Sequence, residues 1–211
     1  MKRLTEKNIN TKSYWENVYK NGLESEIWSK DIFKFENIAG HIIDGALVID
    51  LGCGTGELCR IIERENKSCE ILGIDFSDEA LKRAKEIRSS VLYKVADVTN
   101  TGLDKNSVDY VVSSETLEHL ENPEDLIKEA SKILKVNGRL ILTTPYLDYI
   151  PSEEHLWSFD FTDIEEMIKK HFSEYWVFPW ASGRSDVVEV ETKRLVYPKG
   201  SWDTIMVLAI K

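Results

Sequence analysis

The sequence predicts an α/β domain: a mostly parallel sheet of seven strands, helices on both faces, and an antiparallel strand at the C-terminal end. Three observations predict it. Short apolar runs alternate with stretches of helical periodicity from residue 46 onward. The first run ends at an acid and a glycine-rich turn that opens a helix. The last run, Thr204–Ile210, follows another strand candidate with no helix between them, so it returns antiparallel.

Taken in order, the lead-in carries two candidate helices, near Ser13–Lys20 and near Asp31–Ile38. Ala46–Asp50 reads as a buried parallel strand and Glu57–Glu65 as the helix after it. Glu70–Asp75 is the second strand. Ser77 can cap the helix Glu79–Arg88, where Ala80, Leu81, Ala84 and Ile87 fall at helical spacing. Val91–Val95 and Val108–Ser113 are the third and fourth strands, and Glu124–Leu134 is helical. Asn137-Gly138 is a stop signal before the fifth strand, Arg139–Thr144. The helix Asp163–Lys170 precedes the strands Tyr175–Phe178 and Thr204–Ile210. Asp186–Val196 partly alternates and has no assigned place.

Composition bounds the function. A chain of 211 residues suits one domain, here 1–211. With 27 basic and 37 acidic residues its formal net charge is -10, which disfavours nucleic-acid backbones and anionic membranes as partners. No run reaches the ~18 apolar residues of a membrane helix. Met1–Thr11 lacks the apolar core of a secretory signal. Three cysteines, Cys53, Cys59 and Cys69, without CxxC spacing point to the reducing cytoplasm rather than to a disulfide or zinc scaffold. No feature sets an oligomeric state.

The sharpest motif is Asp50-Leu51-Gly52-Cys53-Gly54-Thr55-Gly56, a DxGxGxG turn between strand and helix. Its glycines let backbone approach a ligand and expose N–H groups at a helix N-terminus. A nicotinamide dinucleotide site would need GxGxxG. Here the third glycine is Gly56, and Glu57 sets an anion where a pyrophosphate would lie.

That spacing at the end of a first strand resembles the S-adenosylmethionine-dependent methyltransferases of class I, with their Rossmann-like fold. The likeness covers roughly residues 46–145. It implies that Asp50 and Gly52, Cys53, Gly54 and Gly56 hold the methionine end. Asp75 would bind the ribose hydroxyls beside Phe76. Asp97 and Val98 would take the adenine, and Ser113-Ser114 would offer carbonyls to the ammonium. Cys53 is there for its small size. Residues 1–40 would be lid helices, Ser13–Tyr19 among them, 41–145 the cofactor half, and 146–211 the acceptor side.

Glu115-Thr116-Leu117-Glu118-His119 follows the fourth strand. As one helical turn it sets Glu115, Glu118 and His119 on one face. His119 could then be a general base, with Glu115 beside it in the catalytic pair. The ExxEH turn is similar to two methyltransferase groups, the ubiquinone-biosynthesis O-methyltransferases and the small-RNA 2′-O-methyltransferases. The second group adds a downstream histidine to a metal site. His155 is the candidate here, so Glu115, Glu118, His119 and His155 could hold Mg²⁺ or Mn²⁺. Tyr146, Tyr149, Trp157 and Phe159 lie in the same acceptor-side stretch. The expected activity is methyl transfer to a small-molecule acceptor at oxygen. The alternatives are a metal-assisted RNA 2′-O-methyltransferase, a nucleotide-dependent oxidoreductase and a non-catalytic cofactor-binding protein.

Overall fold

The computed structural model describes residues 1–22, 32–147, 152–180 and 203–211. The main sheet has seven strands: β2 (Leu47–Leu51), β3 (Glu70–Asp75), β4 (Leu92–Val95), β5 (Val108–Ser114), β6 (Leu134–Pro145), β8 (Glu174–Trp180) and β9 (Thr204–Ile210). Their order is β4-β3-β2-β5-β6-β9-β8, and only β9 runs antiparallel to its neighbours. Two further short strands, β1 (Lys2–Arg3) and β7 (Trp157–Ser158), pair with each other and tie residues 2–3 to the stretch after β6. Among the described residues the helices are α1 (Lys12–Lys20), α2 (Ile32–Gly40), α3 (Glu57–Glu65), α4 (Asp78–Glu86), α5 (Pro123–Ile133) and α6 (Phe161–Ile168).

The period-two alternation of the strands fills a core on each face of the sheet. On one face Ile49, Leu51, Val111, Leu140 and Leu142 pack with Leu126 and Ile133 of α5 and with Ile164 and Ile168 of α6. On the other, Val48, Tyr110, Val112 and Ile141 pack with Phe35 and Ile38 of α2, Leu58 and Ile62 of α3, and Leu81 of α4. Ser77 caps α4 as expected, accepting from Ala80 N–H at 3.1 Å. A capping box of Asp160 and Asp163 starts α6 two residues earlier than the apolar spacing suggested.

The Asn137-Gly138 pair is not a boundary. β6 begins at Leu134, directly after α5, and carries both residues inside it. Leu134 pairs with Val108 and Arg139 with Tyr110, so the pair sits in a bulge, with Asn137 at a left-handed φ of 64°. Tyr149, Asp31 and Asp186–Val196 lie outside the described residues. No helix among the described residues is long and apolar enough to cross a membrane.

Strand order reverses between β2 and β5, which pair in parallel with Asp50 opposite Val112. In open α/β sheets this is where ligands bind, beyond the carboxyl ends of the strands. Phe159 anchors the chain that returns over this edge. It is fully buried in the α5–α6 core, and its carbonyl accepts from Leu147 N–H at 2.8 Å. Phe159→Ala should lower unfolding free energy by about 3–5 kcal/mol. The check is a shift in the denaturant midpoint at unchanged m-value. A loss below about 1 kcal/mol would mean that this segment is not packed as described.

Candidate active site

The turn after β2 is built by tight backbone bonding. Gly52 and Cys53 N–H both donate to the carbonyl of Ile74 in β3, at 2.8 and 3.1 Å. Gly52 has φ +82°, and a Cβ there would lie 2.3 Å from Thr116 Oγ1. Gly56, at φ +77°, would meet Tyr93 Oη at 2.3 Å. Both therefore need glycine for conformation and for space.

Asp75 is buried, and it clamps this turn. Its Oδ2 accepts from Gly54 N–H and its Oδ1 from Ser77 N–H, both at 2.9 Å. Each oxygen keeps a further lone pair for a ligand hydroxyl. Burial raises its pKa, against the pull of those backbone donors. Phe76 beside it is half-buried. Asp50 is fully buried, and its Oδ2 accepts from the Cys59 thiol at 3.2 Å. Cys53 is buried under the turn, where desolvation pushes its thiol up to about 11, so it is no nucleophile.

After β4 the geometry is more local. Asp97 is exposed, and its Oδ1 accepts from the N–H and hydroxyl of Thr99, at 2.8 and 2.7 Å. Val98 is buried in the α5–α6 core. Ser114 shares a 2.8 Å hydroxyl contact with Thr143, while Ser113 donates to the carbonyl of Leu51 at 2.8 Å.

The acid–histidine segment departs from the expected helical turn. Only Leu117–His119 forms a turn, of 3₁₀ type, and Glu115 stands at φ +52°, outside any helix. The Glu115 carboxylate pairs with Lys34 of α2 at 3.1 Å. The clustered ligand atoms belong to Glu118, His119 and His155, all within 4.8 Å of one another. Glu115 is therefore not in the cluster, although its charge acts on Glu118.

Glu118 is buried. Its Oε2 accepts from Thr144 Oγ1 at 3.0 Å, whereas Oε1 has no hydrogen-bond partner among the described residues and lies 3.8 Å from His119 Nε2. Burial, with Glu115 nearby, pushes the Glu118 carboxyl up to about 7. Burial pulls both His119 and His155 below the ordinary histidine range. The His119 Nδ1 lies 3.2 Å from the Glu154 carbonyl, which can only accept, so Nδ1 carries the proton. Nε2 then keeps its lone pair.

Trp15 of α1 meets the His119 ring edge-on, with centroids 5.2 Å apart. The α1 residues Tyr14 and Val18 are half-buried, and Tyr19 is its one buried side chain. In β8, Phe178 and Trp180 pack on the α2–α4 core while Trp176 stays exposed, as befits strand residues rather than an aromatic cage.

Lys34, Thr116, Thr144 and Glu154 are the site residues that the sequence reading missed. Only Lys34 left a signal: a lysine four residues before buried Ile38, on the apolar face of α2.

Asp50 gives a pH prediction. Burial pushes its carboxyl up to about 7, above the unfolded value of about 4. The folded state therefore holds the extra proton, and this contribution to stability is present below pH ~4 and lost as pH rises toward 7. In cofactor-free protein, the melting temperature of Asp50→Asn should gain on that of the parent chain across this window. A constant difference in thermal denaturation would refute burial as the cause.

The family model described as a methyltransferase domain matches residues 42–199. A ubiquinone biosynthesis O-methyltransferase of Xanthomonas oryzae pv. oryzae is 33% identical over 105 residues, 47% of this chain and 43% of the relative. Phosphoethanolamine N-methyltransferase 3 of Arabidopsis thaliana is 32% identical over 103 residues, 47% of this chain and 21% of the relative. This chain spans less than half the length of these curated relatives. Among solved structures, a chain of the complex between the Haloferax volcanii Trm112 methyltransferase activator and a methyltransferase superposes with TM-score 0.73 at 19% identity, covering 93% of this chain and 96% of that one. Haemonchus contortus phosphoethanolamine N-methyltransferase 2, in complex with phosphomonomethylethanolamine and S-adenosylhomocysteine, gives TM-score 0.66 at 22% identity, covering 79% and 44%. With the matched model spanning most of its length, the chain belongs to the methyltransferase-domain family and has the Rossmann-like sheet of class I S-adenosylmethionine-dependent methyltransferases.

Proposed function

We propose that this chain transfers the methyl group of S-adenosylmethionine to an oxygen of a small-molecule acceptor. The residues present suit that cofactor. Buried carboxylates at Asp50 and Asp75 suit a cation and ribose hydroxyls, and the buried Lys34 ammonium beside Glu115 suits the methionine carboxylate. Asp97 and Val98 are the adenine-side candidates, and the Ser113-Ser114 carbonyls face the ammonium role. When bound, the cofactor supplies an electrophilic methyl on a sulfonium, so the protein's task is to bind, orient and desolvate.

The observation that carries the oxygen reading is His119. Its ring is kept neutral by burial, its Nδ1 is held by the Glu154 carbonyl, and its Nε2 is left to accept a proton. A hydroxyl acceptor needs that base, since its proton must leave as the new O–C bond forms. An amine needs such a base only to shed the proton of its ammonium form; once neutral, it attacks with a lone pair it already has. Residues 1–40 then act as a lid, supported by Trp15 on the His119 ring, and 146–211 form the acceptor side.

A second reading adds a divalent cation such as Mg²⁺ or Mn²⁺ held by Glu118, His119 and His155. It is favoured by the buried Glu118 oxygen that has no hydrogen-bond partner among the described residues, in a cluster with two imidazoles. Such an ion would lower the pKa of an acceptor hydroxyl. The net charge of -10 favours a small acceptor over RNA in both readings.

Calorimetry with S-adenosylhomocysteine should give binding that Asp75→Ala weakens about 10-fold or more, the worth of one charge-assisted hydrogen bond. Unchanged affinity would remove Asp75 from the site. In a screen of hydroxyl acceptors with radiolabelled cofactor, His119→Ala should cut kcat about 10²- to 10⁴-fold while S-adenosylhomocysteine affinity holds. A chelator that abolishes turnover, with Mn²⁺ restoring it, selects the metal reading; full activity in chelator discards it.

A further inference from the structure

We propose that Glu154 is a positioning residue: it selects which imidazole nitrogen of His119 is free, and the docked N-terminal segment with α1 strengthens that selection. The inference rests on the reading of His119 as a working residue, and it adds how that residue is made competent.

Glu154 is gripped at both ends. Its backbone oxygen receives two donors, His119 Nδ1 at 3.2 Å and Asn10 Nδ2 at 2.7 Å. Its side-chain Oε1 receives the Tyr14 hydroxyl of α1 at 2.5 Å. Asn10 is itself oriented, because its Oδ1 accepts from Trp15 Nε1 at 3.1 Å while its amide nitrogen donates to Glu154. Trp15 also leans on the His119 ring. The chain after it is tied down as well. Leu156 N–H donates to the carbonyl of Glu118 at 2.9 Å, and Leu4 N–H donates to the carbonyl of Leu156 at 2.8 Å.

The consequence is chemical. A neutral imidazole has two tautomers, and only one leaves Nε2 free toward Glu118 and His155. A carbonyl at Nδ1 selects that tautomer, because it cannot donate. The carbonyl stays at Nδ1 through its Asn10 bond and through the Tyr14–Glu154 latch, both supplied by the N-terminal segment. Docking of α1 thereby couples closure over the site to the readiness of His119. The same selection serves a base at Nε2 and a metal ligand at Nε2.

The test is ¹⁵N NMR of the imidazoles in the intact chain, with the His119 signals assigned by their loss in His119→Gln. Wild type should show His119 with Nδ1 protonated and Nε2 bare. Tyr14→Phe and Glu154→Ala should each give a mixture of tautomers, with kcat lowered about 10-fold and S-adenosylhomocysteine affinity unchanged. Glu154→Gln, which still offers Tyr14 an acceptor, should restore the single tautomer. A wild-type His119 protonated at Nε2 would overturn the proposal. So would a tautomer unmoved in both Tyr14→Phe and Glu154→Ala, with Tyr14→Phe, the loss of a single hydroxyl, deciding if Glu154→Ala does not fold. The parent reading fails separately: full turnover by His119→Ala would dismiss His119 as a working residue whatever its tautomer.

Discussion

The parallel pairing of β2 with β5 is the constraint from which the candidate site follows. These strands are neighbours in space, yet two strands and two helices separate them along the chain. Their carboxyl ends therefore open side by side, and the chains leaving them must diverge at once. Gly52 turns away under φ +82°, and Thr116 of the β5 exit occupies the space that a side chain at Gly52 would take. Ser113 Oγ then closes the seam by donating to the carbonyl of Leu51. Asp75 locks the far side of the turn onto the start of α4 through its two backbone donors. The glycines, the clamp and the acid–histidine segment are consequences of one strand pairing.

The electrostatics of this edge follow from its burial. Asp50, Asp75 and Glu118 are all withdrawn from water, and burial pushes each carboxyl upward. Lys34 is buried too, and it faces Glu115. A group of buried acids of this kind is costly to keep charged and is relieved by a cation.

Much of this was legible in the sequence because it depended on local pattern. The strands, the helices on both faces, the antiparallel last strand and the glycine turn all come from apolar period and turn chemistry. The failures share a different cause. Asn137-Gly138 has the chemistry of a stop, but β6 continues through it because Leu134 pairs with Val108 on one side and Arg139 with Tyr110 on the other. The i, i+3, i+4 reading of Glu115, Glu118 and His119 assumed right-handed backbone. The left-handed φ of Glu115 accompanies an ion pair to Lys34, a residue far away in sequence. The carbonyl of Glu154 was invisible for another reason: a backbone oxygen carries no residue identity, so only tertiary contact shows which side chain it meets.

The base and metal readings share His119, so the difference between them rests on Glu118. A base alone needs only Nε2 and a neighbour that tolerates the developing imidazolium. The Glu118 carboxyl, 3.8 Å from His119 Nε2, can do that in its ionised form. A metal site asks more: the carboxylate must stay ionised and turn a bare oxygen toward both imidazoles. Glu118 offers such an oxygen toward His119, with Oε2 bound by Thr144 and Oε1, 3.8 Å from His119 Nε2, without a hydrogen-bond partner among the described residues. It acquires the first only if a positive charge arrives, because burial otherwise favours the proton. The same buried oxygen therefore serves either role, and whether a proton or a divalent cation satisfies it determines the chemistry of the site.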